Sequence, residues 1–243
     1  MAALWLDREA VGGFSESSRT CISLREETEV IVSQTSDSEL TKLARAIVDG
    51  DADAVARLLA ASPDTARACF KSGASRVTAQ PYFLTKIGRY IYAGDTALHI
   101  AAAGYRTDFV DRLIGAGADV RARNRRGAEP LHAAAAGMPG SPSWDPHAQA
   151  RTIASLIAAG ADPNAPDQGG ATPLHKAVRT RCAVAVKALI DGGADPRRKN
   201  KGGSTALRLA EVNSGRGGSG SPEAKAERQE ILLLLEAHGA TQR

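Results

Sequence analysis

The sequence predicts an all-α solenoid of about five stacked helix-turn-helix units joined by short β-hairpin fingers. Two recurring markers and one shared irregularity predict it. The first marker aligns Leu98, Leu131, Leu174 and Leu207, followed in turn by His99, His132, His175 and Arg208, which stand 33, 43 and 33 residues apart. The second, Gly-Ala-Asp, begins at Gly117, Gly160 and Gly193, with offsets of 43 and then 33 residues. Both report the same ten-residue insertion between the same units. Chance would not preserve that agreement.

The helices follow from local chemistry. Thr172 before Pro173 is a strong start, because a threonine side chain caps a free amide and proline fits the first helical turn. Thr96 and Pro130 occupy matching positions in the two preceding units. Leu174, Ala177 and Val178 then fall on one face at helical spacing. A second helix carries Val184, Val186, Leu189 and Ile190 and ends at Gly192 and Gly193. Neither helix hides its apolar stripe alone, so the units must stack. A first unit without the motif keeps the pair pattern, with Leu40, Leu43, Ala44 and Ile47 before Gly50 and Val55, Leu58 and Leu59 after it. It reads as an N-terminal cap. The aliphatic run Ile231–Leu235 marks the second helix of a closing unit.

With GDTALHIAAAG, GAEPLHAAAAG, GATPLHKAV and GSTALRLA aligned, the chain resembles the ankyrin-repeat family over about residues 38–240. The resemblance implies a cap at 38–70, an inserted finger at 71–93, repeats at 94–126, 127–168 and 169–201, and a closing repeat at 202–240. It implies that Thr96, Leu98, His99, Pro130, Leu131, His132, Thr172, Pro173, Leu174, His175 and Leu207 are structural. In the family, the signature histidine hydrogen-bonds within and between neighbouring repeats. The chain departs from the pattern at three long insertions and at Arg208, which stands where that histidine is expected.

Charge is unevenly placed. The net charge is +4, yet residues 1–37 hold seven acids against three arginines, so this leader is −4 and the remainder +8. The leader shows no helical or strand period and is expected to be disordered. It is a candidate to lie across the basic fingers. Segment 71–93 carries Lys71, Arg76, Lys86 and Arg89 with no acid, together with Tyr82, Phe83, Tyr90 and Tyr92. It either projects as a basic, aromatic binding finger or folds down to seal the cap. One hairpin tip holds Arg121, Arg123, Arg125 and Arg126, and another holds Arg197, Arg198, Lys199 and Lys201. The tip between them has Asp162 and Asp167 and no base, which interrupts the basic stripe.

The two later insertions, about 138–147 and 214–226, are rich in Gly, Ser and Pro and read as turns or flexible loops on the edge opposite the fingers. Trp144 in the first either anchors a partner or packs back on its own fold.

Catalytic signals are missing. The repeated histidines lack metal-ligand spacing, and Gly169-Gly170 and Gly202-Gly203 lack the lysine and hydroxyl of a phosphate loop. No nucleophile elbow or paired-carboxylate motif is present. Three widely spaced cysteines point to a reducing compartment, the N-terminus lacks a signal-peptide run, and Ile231–Leu235 is too short to span a bilayer. The expectation is a cytoplasmic, non-enzymatic protein with no cofactor, metal, membrane or small-molecule substrate. It would bind a protein partner through the concave face of finger tips and first helices, using Tyr82, Phe83, Arg89, Tyr90, Arg121, Arg123, Arg125, Arg126, Arg197, Arg198 and Lys199. Binding of nucleic acid or another polyanion through segment 71–93 and the arginine tips is the alternative, and an unrecognised enzyme is the second.

Overall fold

The computed structural model describes residues 39–75, 77–137, 144–212 and 222–240. The leader, Arg76 and parts of the two later insertions lie outside the described residues.

The helices come in consecutive pairs. Helix α1 covers residues 39–49 and is followed by α2 (Ala52–Ala61). Next come α3 (Ala97–Ala103) with α4 (Thr107–Gly115), and α5 (Pro130–Ala135) with α6 (Pro146–Ala158). The last pairs are α7 (Pro173–Arg179) with α8 (Ala183–Asp191), and α9 (Ala206–Glu211) with α10 (Pro222–Ala237). First helices form one layer, with α3 on α5, α5 on α7 and α7 on α9; second helices form the other, with α4 on α6, α6 on α8 and α8 on α10. The result is an all-α repeat fold whose single core runs along the stack.

Side-chain size explains the layering. The inner layer buries Ala97, Ala101, Ala102, Ala133, Ala134 and Ala177, so its short helices approach closely. Larger residues fill the space between the layers: Leu98, Leu113, Leu131, Ile153, Leu156, Leu174 and Leu189 are all at most 1% exposed. Second helices end where the Gly-Ala-Asp marker begins, and Gly160 at φ +96° takes a left-handed conformation that a side chain would strain.

Two expectations need correction. The insertions read as 138–147 and 214–226 are partly helical. Asp145 caps α6 by accepting from the His147 and Ala148 N–H groups, with Pro146 in the first turn, so α6 runs 13 residues against nine in α4 and α8. Pro222 likewise lies in the first turn of α10, which absorbs the end of the third insertion. The fingers between repeats are tight turns rather than strand pairs. Among the described residues the one two-stranded ladder, β1 (Phe83–Leu84) with β2 (Arg89–Tyr90), lies inside segment 71–93. Side chains of Asn124, Asp167 and Asn200 accept the turn N–H groups, and that closes each finger within a few residues.

Candidate partner-binding face

The motif histidines tie each unit to the next. His99 Nδ1 accepts the Thr96 N–H at 3.1 Å, and Nε2 lies 3.1 Å from the Ala128 carbonyl. His132 repeats the pattern with the Glu129 N–H and the Ala171 carbonyl, both at 3.1 Å. His175 does so with the Thr172 N–H at 3.2 Å and the Ser204 carbonyl at 3.0 Å. A carbonyl only accepts, so Nε2 carries the proton, and Nδ1, which receives an N–H, cannot. Each ring is therefore neutral, with both nitrogens used. Burial favours the neutral form and lowers all three pKa values, that of His132 to about 4. Thr96 and Thr172 hydroxyls add a contact to Nδ1 of their histidines at 3.0 and 2.8 Å.

The finger turns are joined by a second periodic bond. Each donates one backbone N–H to the turn before it: Arg125 to Ala93 O at 2.7 Å, Gln168 to Arg126 O at 2.9 Å, and Lys201 to Gly169 O at 3.0 Å. Close approach makes Gly170 necessary, because a Cβ there would sit 2.7 Å from Lys201 N. A third bond clamps the helix ends. The carbonyls of Gly117, Gly160 and Gly193 accept from Arg67 Nε at 3.2 Å, Arg121 Nε at 3.0 Å and Asn164 Nδ2 at 2.9 Å. Each donor comes from the preceding unit, so the junctions on either side of the 127–168 repeat are stitched at both the finger and the helix end.

These and related bonds engage several of the predicted site residues. Arg121 holds Gly160. Arg123 pairs with Glu129 at 3.0 Å and reaches the Pro166 carbonyl at 3.2 Å. Arg125 donates to the Ala74 carbonyl, and its guanidinium lies 5.4 Å over the Tyr92 ring. Arg126 stacks on the same ring at 5.2 Å and donates to the Tyr92 hydroxyl at 3.2 Å. The other tip differs: Arg197 pairs with Asp195 at 3.2 Å, while Arg198 and Lys199 are exposed. The structure thus brings Arg121, Arg123, Arg125 and Arg126 into contact with their own fold, and Arg198 and Lys199 with solvent.

Segment 71–93 is folded against the body. The Phe70 N–H donates to Asp95 O at 2.8 Å, the Gly94 N–H to Phe70 O at 2.7 Å and the Ala74 N–H to Ile91 O at 2.7 Å. Ile91 is buried, Tyr82, Leu84 and Ile87 pack on the core, and Lys86 pairs with Asp49 of α1. The Phe83 and Tyr90 rings meet at 4.7 Å and remain half-buried. Arg89 lies 3.9 Å from the fully buried Asp95 carboxylate, which accepts from Asn124 Nδ2 at 2.8 Å and the Tyr92 N–H at 2.8 Å and has His99 Nε2 at 3.8 Å. Of the two readings of this segment, these are contacts of the sealing kind.

Sequence reasoning missed Asp95, Asn124 and Glu129 as buried polar hubs. Asn124, Asp167 and Asn200 recur three residues before Gly127, Gly170 and Gly203, a signal that was available. Asp95 and Glu129 vary from unit to unit and carried none. Trp144, whose alternatives stayed open, packs on the core and donates to Gln149 at 2.9 Å. Gln149 is itself fully buried and takes up the Ala134 carbonyl at 2.8 Å. Among the described residues, no group of three or more His, Cys, Asp or Glu could hold a metal ion, and no helix is long and apolar enough to cross a membrane. Cys69 and Cys182 are free thiols, and burial pushes the Cys182 pKa up to about 11.

Stacked helix pairs, stitched by histidine, turn and glycine-carbonyl bonds, define a repeat scaffold. The chain carries ankyrin repeats. The family model described as "Ankyrin repeat" matches residues 93–125, and that described as "Ankyrin repeats (many copies)" matches 156–210. No curated protein matches the sequence. Ankyrin repeats generally mediate protein–protein interaction.

Proposed function

We propose that this chain is a non-catalytic module that binds a protein partner through the concave face of its finger tips and first helices. The observation that carries the reading is the triple stitching of neighbouring units. A face built on turns bonded to one another at 2.7–3.0 Å is ordered before any partner arrives, so association costs little further conformational entropy. The polyanion alternative draws on segment 71–93 and the basic tips; Arg89 and the 121–126 arginines contact their own fold, which leaves it chiefly the 197–201 tip.

Lysine placement offers a test. Lys176, Lys199 and Lys201 lie in a first helix or a finger; Lys187 and Lys225 lie in second helices. Affinity capture from the native cell followed by amine cross-linking and mass spectrometry should join the partner to the first group and not the second. Partner cross-links concentrated on Lys187 and Lys225 would overturn the reading.

A further inference from the structure

The 197–208 segment holds five cations, Arg197, Arg198, Lys199, Lys201 and Arg208, and no acid. Arg197 is paired with Asp195. The other four are exposed, and among the described residues no hydrogen bond or ion pair engages their side chains. In the 121–126 finger, by contrast, every arginine contacts a carbonyl, a carboxylate or the Tyr92 ring. The difference has a structural cause. Arg121 and Arg123 reach groups of the next unit, whereas the described residues place no further finger beyond 197–201. Arg208 follows the same logic, because it is the equivalent, one unit later, of His175, which reaches the Ser204 carbonyl of the following turn, and it is exposed.

We infer that this terminal finger, with Arg208 beside it, is the docking point for an acidic segment of the protein partner. The inference rests on the protein-binding reading above and names the partner's chemistry. Exposed cations outside any ion pair, beside an Asp195 already held by Arg197, attract carboxylates and raise the rate of encounter. A short acidic peptide fits better than a nucleic-acid strand for two reasons. A strand needs a continuous basic track, and the neighbouring 162–171 finger contributes Asp162 and Asp167 and no cation of its own, Lys176 being paired to Asp167 at 2.7 Å. A strand also needs aromatic platforms, and the nearest finger aromatics, Tyr82 to Tyr92, belong to segment 71–93 at the other end of the stack.

The test is a titration of the full chain with two fluorescent probes, an octaglutamate peptide and an eight-nucleotide oligothymidylate, read by anisotropy at low ionic strength. Octaglutamate should bind more tightly. Its affinity should fall at least about ten-fold in R198E/K199E/K201E, with a smaller loss in the neutral R198Q/K199Q/K201Q, which guards against misfolding of the reversed variant. Thermal melts should superimpose on the parent. Tighter oligothymidylate binding that disappears in the same variants would overturn the inference in favour of a phosphate site. Octaglutamate binding indifferent to both triple variants would overturn it outright. Failure here is distinct from failure of the protein-binding reading. A partner cross-linked to the finger side yet indifferent to R198E/K199E/K201E sinks only the acidic docking point, whereas cross-links confined to second helices sink the wider proposal.

Discussion

The fingers at 121–126 and 197–201 look alike as sequence, each a run of four cations around an asparagine, and they fold into equivalent turns. Their side chains meet different fates. Arg121 and Arg123 extend to carbonyls of the next unit, and Arg125 and Arg126 fold back on Tyr92 of the unit before. Arg198, Lys199 and Lys201 do neither. Position in the stack, not local composition, decides whether a finger cation serves stability or remains available. A finger flanked by two others spends its polar atoms on both; the 197–201 finger meets one other finger among the described residues and keeps a surplus.

The comparison is sharpest for the motif histidines, which interior junctions need and the end does not. Protonating His132 would put a hydrogen on Nδ1 facing the Glu129 N–H, so the folded chain resists it. Its pKa is lowered from 6.5 to about 4, which makes the unfolded chain the better proton binder between those values. Stability from this group is therefore complete above pH 6.5 and drains away as the pH falls through about 4, by roughly 3 kcal/mol. His99 and His175 are shifted in the same direction and should add to the loss. Urea midpoints followed by circular dichroism should drop from pH 7 to pH 4. In H132A the dependence should flatten, with a cost at pH 7 of about 3 kcal/mol from the stranded Ala171 carbonyl and Glu129 N–H. A midpoint that holds steady down to pH 4 would mean that the rings are not the neutral ties described.

The arginines give the next largest contrast. R121A and R125A should each lower stability by about 1 kcal/mol, since each removes a charged donor from a backbone carbonyl. R198A and K199A should stay within about 0.5 kcal/mol of the parent. Equal losses at both fingers in urea unfolding would erase the distinction between them.

How much of this was legible in sequence follows from the range of each interaction. Helix pairs, the histidine row and the finger glycines repeat at fixed spacing, so comparing the chain with itself exposes them. The bond from Arg121 to Gly160 spans 39 residues and joins an arginine that has no counterpart in the middle finger, where Asn164 takes the role. Nothing local distinguishes Arg121 from Lys199; only a following finger among the described residues does. The same limit applies to segment 71–93, whose aromatics read equally well as exposed or folded down until Ile91 and Tyr82 are seen against the core. The helical ends of the insertions escaped for a simpler reason: proline and serine were weighed as loop signals, although Asp145-Pro146 is also a helix start.

Glu129 is a place where an interior unit carries a cost. It stands where the neighbouring units have Thr96 and Thr172, it is 4% exposed, and its Oε2 has no hydrogen-bond partner among the described residues. Burial raises its pKa, and the half-exposed Arg123 offsets this in part. An acid whose pKa is raised by folding destabilises at neutral pH, and the penalty fades as the pH falls toward its unfolded value. E129T should therefore gain about 0.5–1 kcal/mol at pH 7, shrinking toward pH 4, because the orphaned oxygen goes and a capping hydroxyl arrives. Arg123 keeps the Pro166 carbonyl and otherwise turns to water. A loss in thermal stability would show that the ion pair outweighs the buried oxygen.

The smallest expected effect falls on Arg208, and its smallness is informative. Restoring the motif in R208H supplies an imidazole whose Nδ1 would still accept the Thr205 N–H, as in the other units. Its Nε2, however, would find no following finger turn among the described residues. A histidine is worth kilocalories at 99, 132 and 175 because burial and a carbonyl across the junction both act on it; at 208, exposed and without that carbonyl, it should change stability by less than about 0.5 kcal/mol. Its pH profile should match the parent's, since an exposed imidazole is not held neutral. A clear stabilisation in R208H would instead show that the motif acts within its own unit, through the Nδ1 contact alone. In that case the tie between units would no longer explain why the two ends of the scaffold differ.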